Sequence, residues 1–213
     1  MTRILLIRHG HVDGIDPEHF RGRADLPLTS RGLAQARAVA ERIADAWHPL
    51  KVYTSPLARC VATGAAIAAA CRAPAEVMGE LIDIDYGVWQ GRSCAEIEQS
   101  ESKLYAAWRK TPHLVRFPGG DSLQDLAGRA ANALRFVLAR HPDATVVLVA
   151  HDSVNRALLI QLLDQPLSAY WRLAQTPCCI NEVEVIDGRV QVVRINETAH
   201  LAAIVPNWRR SMR

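Results

Sequence analysis

The clearest pattern in the chain is a set of short apolar runs that each end in a polar cluster. Ile4-Leu5-Leu6-Ile7 is continuous and stops at Arg8-His9-Gly10, the pattern of a strand buried on both faces of a parallel sheet. Ser30 is placed to cap a helix whose residues Leu33, Ala36, Ala40, Ile43, Ala44 and Trp47 recur at helical spacing, with Pro49 beyond its end. A strand over Val52 to Thr54, a helix over Leu57 to Ala70 and a weak strand at Val77-Met78 follow. Between Ser122 and Asp125 lies capping-box spacing, and the Leu, Ala and Val positions after it predict an amphipathic helix. Thr145 to Val149 is the strongest strand signal, followed by a helix from about Ser153 to Leu163. Two further strands near 181–187 and 190–195 are joined by Asp187-Gly188, a hairpin turn signal.

Strands alternating with helices predict a three-layer α/β sandwich: a mostly parallel central sheet, helices on both faces and an antiparallel hairpin at one edge. The stretch at about 80–120 breaks the rhythm with Gly87, Gly91, Pro112, Pro118, Gly119 and Gly120 among aromatics and charges. It reads as a lid or insertion with one helix near 94–110, and residues 1–213 read as a single domain without repeats or linkers.

Composition narrows the function. A net charge of +3 is too small to make nucleic acid the main partner, and with 49% hydrophobic and 22% charged residues the chain is not disordered. Arginine supplies 22 of the 25 basic residues, so arginine abundance alone marks no site. Five cysteines without metal-ligand spacing fit reduced thiols, and no segment is long and apolar enough for a membrane anchor or signal core. The expectation is a cytoplasmic protein, monomer or homodimer, with no membrane, nucleic-acid, metal or cofactor partner.

Arg8-His9-Gly10, Ser55-Pro56 with Arg59, and His151-Asp152 each follow a predicted strand. Carboxyl ends of strands in an open α/β sheet share one edge, so the three clusters should converge there. Two histidines and two arginines without a carboxylate cluster suit a phosphate dianion, with one neutral histidine as a nucleophile toward phosphorus.

Several motifs go further. Leu6-Ile7-Arg8-His9-Gly10, Asp25-Leu26-Pro27-Leu28-Thr29 with Gly32, Ser55-Pro56-Leu57 with Arg59 and Thr63, Pro118-Gly119-Gly120-Asp121-Ser122, Val147 with His151 and Arg156, and Ile180-Asn181-Glu182 stand in order along nearly the whole chain. Together they resemble the histidine phosphatase superfamily, the phosphoglycerate mutase-like group. The resemblance implies that His9 accepts a phosphoryl group, that Arg8, Arg59 and His151 hold its oxygens, and that no metal is needed. Gly10 would let the backbone pass beside the phosphate, and Arg21 and Asp152 would border the substrate; Arg21 and Arg23 could hold a second anionic group or stand solvated.

The family's acid is usually Glu, and Asp83 stands at its position here, with Asp85 and Asp152 as alternatives. Tyr86, Trp89, Trp108 and Phe117 would either line a pocket or form a core. The implied activity is a phosphomonoesterase acting on a small phosphorylated metabolite. A phosphoglycerate mutase-type transferase, an α-ribazole phosphatase and an inactive phospho-ligand binding module are the alternatives. The mutase run E-R-H-Y-G-x-L-x-G-x-N is not matched by Asp83 to Arg92.

Overall fold

The computed structural model describes residues 1–204. Six strands form one sheet in the order β3-β2-β4-β1-β5-β6: β1 Thr2–Arg8, β2 Lys51–Thr54, β3 Ala75–Val77, β4 Thr145–Ala150, β5 Ile180–Ile186 and β6 Arg189–Glu197. The first four are mutually parallel, and β5 and β6 run antiparallel to their neighbours. The expected edge hairpin turns at Asp187 (φ 50°) and Gly188 (φ 77°). Both residues are left-handed, the twist-compatible geometry for a two-residue loop.

Helices α1 (Ser30–Ala46) and α2 (Ala58–Cys71) pack together, as do α5 (Leu123–Arg140) and α6 (Asp152–Leu162). The sheet is buried between them. Leu5, Ile7, Val147 and Val149 face a core shared with Val39, Ile43 and Ile67, whereas Ile4, Leu6, Val146 and Leu148 face one shared with Leu126, Val137 and Leu158. The alternation explains why β1 and β4 read as unbroken apolar runs: both faces are covered. The three-layer α/β sandwich with its edge hairpin is therefore present.

Three local readings change. The cap of α1 is Thr29 rather than Ser30: its hydroxyl accepts the Gly32 N–H at 3.1 Å. The helix expected near 94–110 is two, α3 (Cys94–Ser100) and α4 (Ser102–Lys110), broken at Glu101 (φ −135°, ψ 42°). Ser100 Oγ bonds back to the Glu96 carbonyl at 2.8 Å, a local bond that competes with helix propagation. At α6 the cap position belongs to His151, and Asp152 is the first helical residue. The capping box of Ser122 and Asp125 at α5 is complete, as its spacing predicts.

The aromatic residues of the 80–120 segment gather around Phe20 and continue the core on the Leu6 face of the sheet. Trp89 and Phe117 are fully buried, with Phe20–Trp89 and Trp108–Phe117 ring centroids both 4.9 Å apart in edge-to-face contact. Backbone bonds from Phe20 N to Arg92 O and from Gly91 N to Phe20 O tie this segment to the loop after β1. Among the described residues no helix is long and apolar enough to cross a membrane.

Candidate active site

Parallel pairing sets Arg8 opposite Ala150 and Thr54 opposite Val149. The residues that follow β1, β2 and β4, namely His9, Ser55 and His151, therefore emerge on one edge of adjacent strands. Arg59, on the first turn of α2, and Asp83, in the extended segment after β3, complete the group.

His9 is 1% exposed, so it sits at a strand end yet inside the protein. Its Nδ1 lies 2.7 Å from the Gly10 carbonyl, which can only accept, so Nδ1 carries the proton. The lone pair is thus on Nε2, which accepts from Arg59 Nε at 3.2 Å. Burial, then the neighbouring charge of Arg59, holds the His9 imidazolium well below the usual histidine range. At neutral pH the ring is a neutral base with Nε2 unprotonated, the form a nucleophile requires.

Arg59 is completely buried, which rules out a solvated surface charge. Its Nη1 and Nη2 donate to the Ala24 and Gly22 carbonyls at 2.6 and 2.7 Å, and Nη2 also reaches Asp83 Oδ2 at 3.1 Å. One guanidinium thus touches both the histidine and the carboxylate. Asp83 accepts further from its neighbour's Ile84 N–H at 2.9 Å and from the Ser153 hydroxyl, and its Oδ2 lies 3.4 Å from His151 Nδ1. Although one methylene shorter than Glu, Asp83 reaches the group.

His151 is fully buried, with Nε2 2.8 Å from Ser55 Oγ. Burial lowers its pKa to about 3 despite the opposing field of Asp83, so it too is neutral near pH 7.

Arg8 donates to the Gln175 carbonyl, and its Nε is buried without a hydrogen-bond partner. Gln175 is in turn fixed by Asn181, whose Nδ2 bonds Gln175 Oε1 and the Leu6 carbonyl, both at 2.9 Å. The Asn of the Ile180-Asn181-Glu182 motif therefore anchors the loop that holds Arg8.

The other candidates divide. Asp85 and Arg23 pair with each other at 3.2 Å, and Arg23 also pairs with Asp121 at 3.0 Å. Arg23 Nε and Arg129 Nη2 donate to the Asp83 carbonyl at 3.4 and 3.2 Å. Arg23 and Asp85 thus brace the backbone behind Asp83. Gly10 is required by packing: a Cβ there would stand 2.6 Å from the Gly32 carbonyl on α1, and its N–H is already committed to Thr63 Oγ1 at 3.1 Å.

Asp152 bonds Arg156 Nη1 at 3.3 Å. Burial opposes its ionisation, but Arg8, Arg156 and Arg21 outweigh burial and keep the carboxyl well below the usual carboxylate range. Arg21 and Asp152 border two adjoining cavities. A small one of about 20 Å³ also touches Asp83, Tyr86 and Trp108. An open one of about 340 Å³ also touches Arg8, Arg31 and Gln175. Sequence reading missed Ser153 and Gln175 as site residues, and a serine two positions beyond His151 was the one available signal.

The buried neutral histidines carry a stability signature. A histidine whose folded pKa lies below its unfolded value of about 6.5 contributes fully above that pH, and the contribution is lost as the pH falls toward the folded value. The slope is at most about 1.4 kcal/mol per pH unit for each histidine. Thermal unfolding is therefore expected at a clearly lower Tm at pH 5 than at pH 7, before most carboxylates titrate. An unchanged Tm across that interval would show that His9 and His151 are not held neutral.

Residues 4–198 match the histidine phosphatase superfamily (branch 1). The chain is 30% identical over 201 residues to phosphoserine phosphatase 1 of Hydrogenobacter thermophilus, covering 94% of this chain and 95% of that one. It is 34% identical over 189 residues to a probable phosphoglycerate mutase GpmB of Proteus mirabilis, covering 86% and 85%. The structure of Bacillus stearothermophilus YhfR superposes with a TM-score of 0.89 at 26% identity, covering 94% of this chain and all of that one.

Proposed function

The chain belongs to the histidine phosphatase superfamily, and from that premise we propose that it is a phosphomonoesterase working through a phosphohistidine at His9. The observation that carries the reading is the Arg59 guanidinium, which meets His9 Nε2 at 3.2 Å and Asp83 Oδ2 at 3.1 Å. In this reading the phosphoryl group of a monoester takes its place between nucleophile and acid, where it would take over donors from Arg59 and the unpartnered Nε of Arg8.

His9 Nε2 attacks phosphorus in line, the ester P–O bond breaks, and Asp83 delivers a proton to the departing alkoxide. Water then attacks the phosphohistidine, gives its proton back to the Asp83 carboxylate, and inorganic phosphate leaves with Nε2 restored. Two transfers replace one difficult displacement. Arg8 and Arg59 stabilise the charge on the equatorial oxygens, a task that a metal ion performs elsewhere, and His151 holds the same oxygens as a neutral donor. Asp83 is favoured over Asp152 as the acid because the arginines around Asp152 keep it ionised, whereas Asp83 contacts the group that meets the nucleophile.

Phosphoserine is the first substrate to test, given the relative from Hydrogenobacter thermophilus. The charged walls of the larger cavity suit a small polar alcohol better than the bulky aromatic base of α-ribazole. Turnover of p-nitrophenyl phosphate with stoichiometric phosphate release, undiminished by EDTA, is the expected result. No turnover would favour a binding module, and loss reversed by a divalent ion would contradict metal-free chemistry. Interconversion of phosphoglycerates faster than phosphate release would favour a mutase.

A further inference from the structure

Asp83 belongs to no helix or strand that would fix its side chain; it lies in the extended segment after β3. Arg23 and Arg129 hold its backbone carbonyl, but those bonds leave the carboxyl group free to turn about Cα–Cβ and Cβ–Cγ. What restrains it comes from the junction of β4 and α6. Ser153, the second residue of α6 and fully buried, donates its hydroxyl to Asp83 Oδ1 across 70 residues of sequence. His151, at the cap position of the same helix, places Nδ1 3.4 Å from Oδ2. One turn of chain thus meets both oxygens of the carboxyl group.

The two oxygens have different surroundings. Oδ1 receives the Ser153 hydroxyl and the Ile84 N–H, the latter at 2.9 Å, and an N–H can only donate. A proton on Oδ1 would point at that N–H, whereas Oδ1 as the carbonyl oxygen of a neutral carboxyl group keeps both bonds. Oδ2 is the oxygen turned toward the reacting groups, 3.1 Å from Arg59 Nη2. A half-turn about Cβ–Cγ merely exchanges the oxygens of the carboxylate, but any smaller rotation takes both out of line.

We propose that Ser153 is a positioning residue for both phosphoryl transfers: with the Ile84 N–H it occupies Oδ1 and so confines the exchangeable proton of Asp83 to Oδ2. The inference rests on the phosphomonoesterase reading and deepens it. In the first transfer Oδ2 gives its proton to the departing alkoxide, and in the second it takes one from the attacking water. The Ser153 proton stays on Oγ throughout, so the hydroxyl acts only through Asp83.

The test is Ser153→Ala, which removes one oxygen and no carbon and so keeps the packing around α6. Ethyl phosphate and p-nitrophenyl phosphate are compared in the wild-type and Asp83→Asn backgrounds. Both transfers use Asp83, so kcat for ethyl phosphate should fall by about tenfold, the scale of one charge-assisted hydrogen bond, with KM changed by less than about twofold. First-turnover release of nitrophenolate, which needs no proton, should stay within about twofold. In Asp83→Asn the same change should cost less than about twofold on either substrate, because the proton it directs is gone.

An unchanged kcat for ethyl phosphate, an effect carried by KM, equal slowing of nitrophenolate release or a tenfold cost repeated in Asp83→Asn would each overturn the proposal and leave Ser153 a packing residue. Absence of p-nitrophenyl phosphate turnover in the wild-type protein would instead overturn the phosphatase reading itself, so the two failures are distinguishable.

Discussion

His9→Ala is expected to lower turnover of every phosphomonoester by at least about a thousandfold, since it removes the atom that forms the covalent bond and leaves only the binding groups. The fold should survive. His9 is buried but follows β1 rather than filling either apolar core, and its ring makes polar contacts to Gly10 O and Arg59 Nε. Losing them leaves the Arg59 Nε donor unpaired in a dry site, a cost of about 1–3 kcal/mol. The variant should therefore show a native circular dichroism spectrum and a cooperative but lowered Tm. Retention of more than about 1% of wild-type rate in a folded variant would return His9 to a structural role.

Asp83→Asn is expected to separate substrates by their leaving groups. An alkyl alkoxide departs poorly without a proton, whereas p-nitrophenolate needs none. General acid catalysis is worth about 10²–10⁴-fold, so the first transfer should slow on that scale for alkyl esters and far less for the nitrophenyl ester. The second transfer loses the base that activates water. A burst of nitrophenolate followed by slow steady turnover should result. The amide oxygen can still accept from the Ser153 hydroxyl and the Ile84 N–H, while the acceptor that Arg59 Nη2 meets at 3.1 Å is lost. Equal slowing of both first transfers without a burst would make Asp83 a positioning group for Arg59 and His151.

Which features were legible in the sequence follows from how local their causes are. Strands β1 and β4 announce themselves because both faces are buried, and the α5 cap because Ser122 and Asp125 satisfy each other three residues apart. His9, Arg59 and His151 were legible because parallel strands deliver their carboxyl ends to one edge. The remainder depends on partners distant in the chain. Asp25, part of a recognisable motif, caps α2 from outside by accepting the Ala58 N–H at 2.7 Å, 33 residues away. Arg23 and Asp85 look like site residues until Asp121 and Arg129 are seen to join them behind Asp83. Gln175 carries no sequence signal, because its carbonyl and its side chain act together only once β5 places Asn181 beside it. The aromatic residues of the 80–120 segment admitted two readings because burial, not identity, decides between a pocket wall and a core.

The central claim is a phosphoryl group covalently held by His9. The most direct test mixes Asp83→Asn with p-nitrophenyl phosphate, quenches within the burst into alkali, and maps the phosphorylated peptide by mass spectrometry. The account predicts about one phosphoryl group per protein chain. It should be alkali-stable and acid-labile, located on the peptide containing His9, and absent from His9→Ala/Asp83→Asn. A burst of nitrophenolate with no phosphoprotein, or with phosphate on another residue, would contradict it.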